Sequence, residues 1–530
     1  MSTGTLSHRS RRALYGCLGL ALLLSLLVPL LPRSVRAAPA PATRPAAVTA
    51  ATNAPDACSV PRTRTIRGKS VTFDQCYQRS FNHNGTAYSV DVYYTETNST
   101  VNTDQCTATE NAANRCEHAL PDNDDGNGDN VEAVAMGAEA ETAVRFYDDR
   151  NLAFLPGGNT TMNVYIAEDP RLGGIIGGDG MYADDDWMFG DVLAKRLLAF
   201  HEIQHLVQTQ YDDLVGWRSF YGEGIARAIE DRVDPALDAN LGHLFIPEVD
   251  GILASNSDRS SDITTISYRS VLWWTWLWDQ YRQPADVDPV IGWDAARDFY
   301  LELKTEADQW KAVRDFISSQ GSSVTDDFID YTLALYAYRF NPSDPRLTYL
   351  DNEIRNNTSG LSNHSVFNSG PAFTTVNQSM NPRSARYWEF NPASQCDYVA
   401  FTFDGNSDTY GFSLMTVDGG VLQNRWTSYS SNWARTVRSS DLDRVVGVVT
   451  ALDTANSATV GYGCVTPTIN IKDPTTAKFE MVGLASNPRK FIVRVDVDGQ
   501  DGSGVAGLVA SDFAVQIQPA GGGSPIIADV

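Results

Sequence analysis

Residues 88 to 94 alternate, with Tyr88, Val90, Val92 and Tyr94 on one side, which predicts a half-buried strand. The period then lengthens: Met136, Ala140, Ala143, Val144 and Tyr147 recur at helical spacing and predict a helix with one apolar face. Residues 161 to 166 alternate again and predict a second strand. After it, Gly173, Gly174, Gly177, Gly178 and Gly180 read as a glycine-rich loop ending in Asp184, Asp185 and Asp186. Residues 197 to 207 form an apolar run that contains His201, Glu202, Gln204 and His205, and a second helix is expected from Glu223 onward. Residues 267 to 278 are apolar nearly all round, which predicts a buried helix. Helical segments near residues 294–303, 310–318 and 325–339 make this half of the chain α-rich. After about residue 365 the texture changes to short alternating strands, at 398–403 and 445–449, which predicts a β-sandwich closing at Cys464. One further strand is expected at 490–497, and the turn at 498–504 with residues 508–513 looks like part of an immunoglobulin-like module.

Composition changes this picture mainly at the N-terminus. Arg9, Arg11 and Arg12 precede an apolar run from Leu14 to about Leu31, followed by small-residue cleavage sites at 35–37 or 38–40, as in a signal peptide. Residues 38 to 55 are rich in Ala, Pro and Thr and read as a linker. No later stretch is long and apolar enough to span a bilayer. The net charge is −24, and removal of the leader takes it to about −29. Nucleic acid is therefore not an expected partner, since binding it needs a basic face. Of seven cysteines, Cys17 falls in the leader; Cys58, Cys76, Cys106, Cys116, Cys396 and Cys464 remain, an even number that implies disulfides in an exported chain. Sequential pairing closes the shortest loops.

Asp122, Asp124, Asp125 and Asp129 lie among Asn and Gly just before the first helix, and such a loop can wrap calcium with its oxygens. Its spacing does not fit an EF-hand, and a solvated turn that caps the helix is the alternative.

The segment with the most definite chemistry is His201-Glu202-Ile203-Gln204-His205. On a helix, residues four apart share a face, so two imidazoles converge while Glu202 projects about 100° round the axis. That is the layout of a zinc site with its general base. With seven histidines in 530 residues, a chance match is on the order of one in a hundred. Gln208 and Tyr211 stand where the metzincin continuation requires Gly and His, which excludes that branch. Downstream, Glu223 supplies a carboxylate; two neutral imidazoles and one carboxylate leave a fourth position for water, as in catalytic zinc sites. Arg227 is read as a helix-surface partner of Glu223 or Glu230, and Tyr268 as a candidate donor to a developing oxyanion.

The pentad, followed by Gly222-Glu223-Gly224, Ala226 and Glu230-Asp231, resembles the gluzincin metallopeptidases, and among them a group of secreted bacterial metalloproteases. The resemblance spans roughly residues 85 to 345. It implies that His201, His205 and Glu223 bind zinc and that Glu202 is the base. Gly222 departs from the usual Asn, and 17 residues separate His205 from Glu223, slightly fewer than in the best-known members. Glu230, two helical turns on, is the alternative ligand, or a carboxylate that holds a ligand imidazole by its free N–H.

The expected architecture is thus a signal peptide (1–37), a linker (38–57), an α+β zincin-like catalytic domain (58–365) with an N-terminal sheet and an α-rich second half, a β-sandwich (366–466) and an immunoglobulin-like segment (467–530) that is short for a whole sandwich. The expected function is secreted, zinc-dependent hydrolysis of protein or peptide substrates, with calcium as a second metal and cell-surface or polymer contact through the β modules. A non-catalytic binding protein on a zincin scaffold, and a zinc hydrolase of non-peptide esters or amides, are the alternatives.

Overall fold

A computed structural model describes residues 58–66, 69–95, 120, 128–167, 173–176, 180–184, 192–211, 219–230, 232–233, 245–255, 259–286, 290–306, 308–349, 352–405, 410–429, 432–453 and 457–465, with short segments at 515–517 and 526–528. The expected leader and linker, Cys106, Cys116, Asp122, Asp124, Asp125 and the strand at 490–497 lie outside the described residues.

The N-terminal sheet has the order β3-β4-β5-β7-β6, from Gln75–His83 (β3), Thr86–Tyr94 (β4), Thr161–Ile166 (β5), Gly173–Ile176 (β6) and Gly180–Ala183 (β7). β4, β5 and β7 run parallel, while β3 and β6 are antiparallel edges. Part of the glycine-rich loop is therefore an edge strand. β4 also departs from its half-buried expectation, because Ser89, Asp91 and Tyr93 are buried along with the apolar set. The reason is a hairpin of Arg62–Ile66 (β1) and Lys69–Phe73 (β2), whose Ile66, Val71 and Phe73 cluster with Tyr93, Tyr165 and Tyr182 on the second face.

The first face carries Val131–Asp149 (α1) and Val192–Tyr211 (α2). The apolar stripe of α1 (Met136, Ala140, Ala143, Val144 and Tyr147) is fully buried against Val90, Val92, Val164 and the Leu197–Phe200 turn of α2. Asn130 caps α1 by accepting from Glu132 N at 3.0 Å, beside Asp129 of the acidic loop. Next come Ser219–Glu230 (α3), Phe245–Ala254 (α4), Val271–Tyr281 (α5), Trp293–Leu303 (α6), Gln309–Ser319 (α7) and Val324–Ala337 (α8). Trp273, Trp274, Trp276 and Trp278 of α5 are all buried at the centre of this helical layer, each contributing on the order of 2–3 kcal/mol by removing its ring from water. The expected helix at 267–278 starts later, since residues 268–270 form a 3₁₀ turn before α5.

Between Ser365 and Val465 the described residues are mostly β-strands. One sheet has the order β13-β12-β15-β10-β8, the other β14-β11-β16-β9. Its strands are Ser365–Phe367 (β8), Thr374–Ser379 (β9), Ser384–Phe390 (β10), Tyr398–Gly405 (β11), Tyr410–Asp418 (β12), Val421–Ser428 (β13), Asn432–Arg438 (β14), Arg444–Ala451 (β15) and Ser457–Val465 (β16). The two sheets stack across Phe390, Phe401, Phe403, Phe412, Leu414 and Val460, and Cys396–Cys464 ties the connection between β10 and β11 to β16. The outer face of the first sheet is covered by α8, through Ile329, Leu333 and Tyr336 against Tyr387, Met415 and Val448. Cys58–Cys76 is the second disulfide described. The chain is thus an α+β protein whose strands β8 to β16 are divided between two sheets with crossovers; Val515–Ile517 and Ile526–Ala528 pair as a further antiparallel ladder. Among the described residues no helix is long and apolar enough to cross a membrane.

Candidate metal centre

The pentad lies in the second half of α2. Because α2 packs its apolar residues on the sheet and on α1, the polar members His201, Glu202 and His205 are drawn into a protein-lined site rather than left on a helix surface. α3 forms the facing wall. Glu223 lies in the second turn of α3 rather than opening it, since the helix begins at Ser219. What lets α3 come close is Gly224: a Cβ there would stand 2.0 Å from Ser270 Oγ and 2.9 Å from the Trp274 ring. Ser270 Oγ and Trp274 Nε1 both donate to the carbonyl of Phe220, at 2.8 and 3.1 Å, and lock the α3 N-terminus onto the turn that carries Tyr268.

Three ligating atoms converge. His201 Nε2 and His205 Nε2 are 3.0 Å apart, and each is 3.5 Å from Glu223 Oε2. Atoms bound about 2.0–2.1 Å from a tetrahedral zinc are themselves roughly 3.3 Å apart, so the triangle has the right size. It is the one cluster of three or more potential ligand side chains among the described residues. The far nitrogens are committed elsewhere: His201 Nδ1 lies 2.6 Å from Glu230 Oε1, and His205 Nδ1 lies 2.8 Å from Gln208 Oε1. Both partners accept, so the Nδ1 atoms donate, and the two Nε2 atoms are the ring positions left to share a proton or face a cation. Nitrogens 3.0 Å apart are brought together either by that proton or by a metal cation that displaces it. The buried Glu223 Oε2, which makes no well-formed hydrogen bond, completes a donor set that fits zinc.

Electrostatics agree. Burial works against a charge on His201, yet the facing carboxylates of Glu223 and Glu230 lift its pKa to about 10. Burial also works to raise Glu223, but the two imidazoles hold it well below the usual carboxylate range. Together the three groups favour positive charge at their centre. Glu202 is different: burial pushes its carboxyl up, the imidazole charges opposing, and its Oε2 is buried without a hydrogen bond.

Glu230 does not join the triangle. It meets His201 from the Nδ1 side and is itself gripped by Arg227, so the alternative carboxylate lies outside the cluster of His201, His205 and Glu223. Tyr268 comes to the site: its ring stacks on His201 with centroids 6.2 Å apart, and it remains 43% exposed. Burial and the nearby Glu223 push its hydroxyl pKa up, so it stays protonated and able to donate. Two contributors were not legible as such. Gln208 appeared only as a break in another motif, although a polar residue on the buried face of an apolar helix needs partners. Gly173 of β6 passes directly over Glu202, where a Cβ would stand 2.9 Å from its Oε1.

No family model and no curated protein matches this chain. A solved structure to which it is similar is a family GH115 4-O-methyl-alpha-glucuronidase with specificity for decorated arabinogalactans, at 11% identity over 53% of this chain and 40% of that chain, with a TM-score of 0.13. A likeness of that size carries no argument about fold or activity.

Proposed function

We propose that this protein is a secreted zinc metallopeptidase of the gluzincin type, with a zincin core formed by the N-terminal sheet, α2 and α3. The observation that carries the reading is the convergence of His201 Nε2, His205 Nε2 and Glu223 Oε2 beside a buried carboxyl that is not one of them, Glu202. His201, His205 and Glu223 would hold the ion, and zinc bound there supplies Lewis acidity to a water and to a substrate carbonyl. Glu202 takes the proton of the attacking water and returns it to the leaving amine; its raised pKa suits it to carry that proton. Tyr268, protonated and accessible, donates to the oxygen on which charge develops. β6 closes the order of its sheet as an edge strand, and an extended peptide can add to such an edge, over Glu202. The two disulfides suit an oxidising compartment, in keeping with export.

The test is turnover of a mixed peptide library by purified protein before and after dialysis against EDTA, followed by zinc re-addition. Cleavage that disappears and returns is expected. Turnover untouched by metal removal, or a zinc-loaded protein that cleaves no peptide, sinks the proposal; in the second case, hydrolysis of simple esters would move the site to the non-peptide class.

A further inference from the structure

Gln208 is 1% exposed and spends its amide on two elements at once. Its Nε2 donates to the main-chain carbonyls of Tyr221, at 3.2 Å, and Gly222, at 2.9 Å, while Oε1 faces His205 Nδ1 at 2.8 Å. Carbonyl oxygens only accept, so these two decide which end of the amide is NH₂. The amide oxygen is then left against Nδ1, and it too only accepts. Nδ1 must therefore carry the proton of the neutral ring, and the lone pair falls on Nε2, the atom that faces Glu223. The carbonyls that set this chain of consequences belong to the two residues immediately before Glu223.

We infer that Gln208 is a positioning residue of the metal site: it reads the backbone of α3, fixes the tautomer of His205, and holds the histidine helix in register with the third ligand. The inference rests on the zinc reading of the site. α3 then controls both rings, one end through Gln208 and the other through Glu230 on His201. Burial gives the arrangement its force, since water does not replace a lost partner there and either orphaned end is left unsatisfied.

The experiment uses the full chain, as wild type, Gln208→Met and Gln208→Glu, with zinc affinity read by competition against a chromophoric chelator. Imidazole ¹⁵N–¹H spectra of the zinc-free proteins report the tautomer. The Met variant, which loses both ends, is expected to bind zinc about 10–100-fold more weakly and to show His205 as a mixture of tautomers. The Glu variant keeps an acceptor for Nδ1 but sets a carboxylate against two carbonyls, so it should retain the Nδ1–H form and still lose affinity. An Nε2–H ring in zinc-free wild type overturns the inference, as does a folded Met variant with unchanged affinity and tautomer. If the Met variant does not fold, the Glu variant decides: an Nδ1–H ring with weakened zinc binding supports the inference, and any other result overturns it. Wild type that takes up no zinc would instead overturn the proposed function, which keeps the two failures apart.

Discussion

His201 and His364 stand in nearly the same local setting, and comparing them shows what the candidate metal centre adds to it. His201 Nδ1 meets Glu230 at 2.6 Å and Arg227 grips that carboxylate; His364 Nε2 meets Glu389 at 2.7 Å and Arg444 holds Glu389 at 2.8 Å. Both glutamates are 2% exposed. The difference lies at the other ring nitrogen. His201 Nε2 faces a second imidazole and a second carboxylate, that of Glu223, whereas His364 Nδ1 makes no hydrogen bond and its ring lies edge-on to Tyr336 and Tyr387. A His–Glu–Arg triad is thus a joint that can be placed anywhere in a core; here one such joint fastens β10 and β15 beside α8, and the other aims His201 Nε2 at His205 and Glu223. Chemistry arises only where several such aims converge.

The sharpest way to break this comparison is to remove one histidine from each region. His205→Ala is expected to take bound zinc from about one ion per chain to near none, and hydrolysis with it, by elemental analysis and peptide assay. His364→Ala should keep the zinc and cost about 1–3 kcal/mol of stability in urea titration, because it leaves Glu389 short of a partner. Zinc loss in the His364 variant would dissolve the distinction. Glu202→Gln sharpens the same point within the site: zinc is retained while kcat/KM falls by about 10²–10⁴-fold.

The smallest effect is in pH. Burial works to raise Glu389, but His364 and Arg444 hold it below its usual 4.5. A carboxyl whose folded pKa is depressed stabilises the fold above its unfolded pKa, and that contribution drains away as pH falls through the folded value. Stability measured by urea titration should therefore decline below about pH 5, and the decline should be shallower in Glu389→Gln. Parallel acid limbs in the two proteins would show that Glu389 is not a source of it.

Much of this was readable from local pattern. The apolar stripe of α1, the alternation of β4 and β5, the tryptophan-rich α5 and the texture change at residue 365 all appear as regular structure. α4 went unread because Pro247 and Gly251 break its helical pattern, yet Pro is tolerated in a first turn. The full burial of β4 was equally hidden, since it depends on a hairpin that packs on the sheet from beyond the local pattern. Likewise, spacing along α3 could not separate Glu223 from Glu230, which lie about two turns apart on one face of the same helix.

By itself, then, the sequence determined the candidate donor types, their convergence on one face of α2 and the position of Glu202 beside them, because the geometry of a helix is local and its period is known. Only the tertiary structure decided which carboxylate completes the triangle, which holds His201 in place, and that Gln208 answers to the backbone of α3. Those choices depend on how closely two helices approach. Here the approach is made possible by the missing side chain of Gly224 against Ser270 and Trp274, a contact between residues some fifty positions apart.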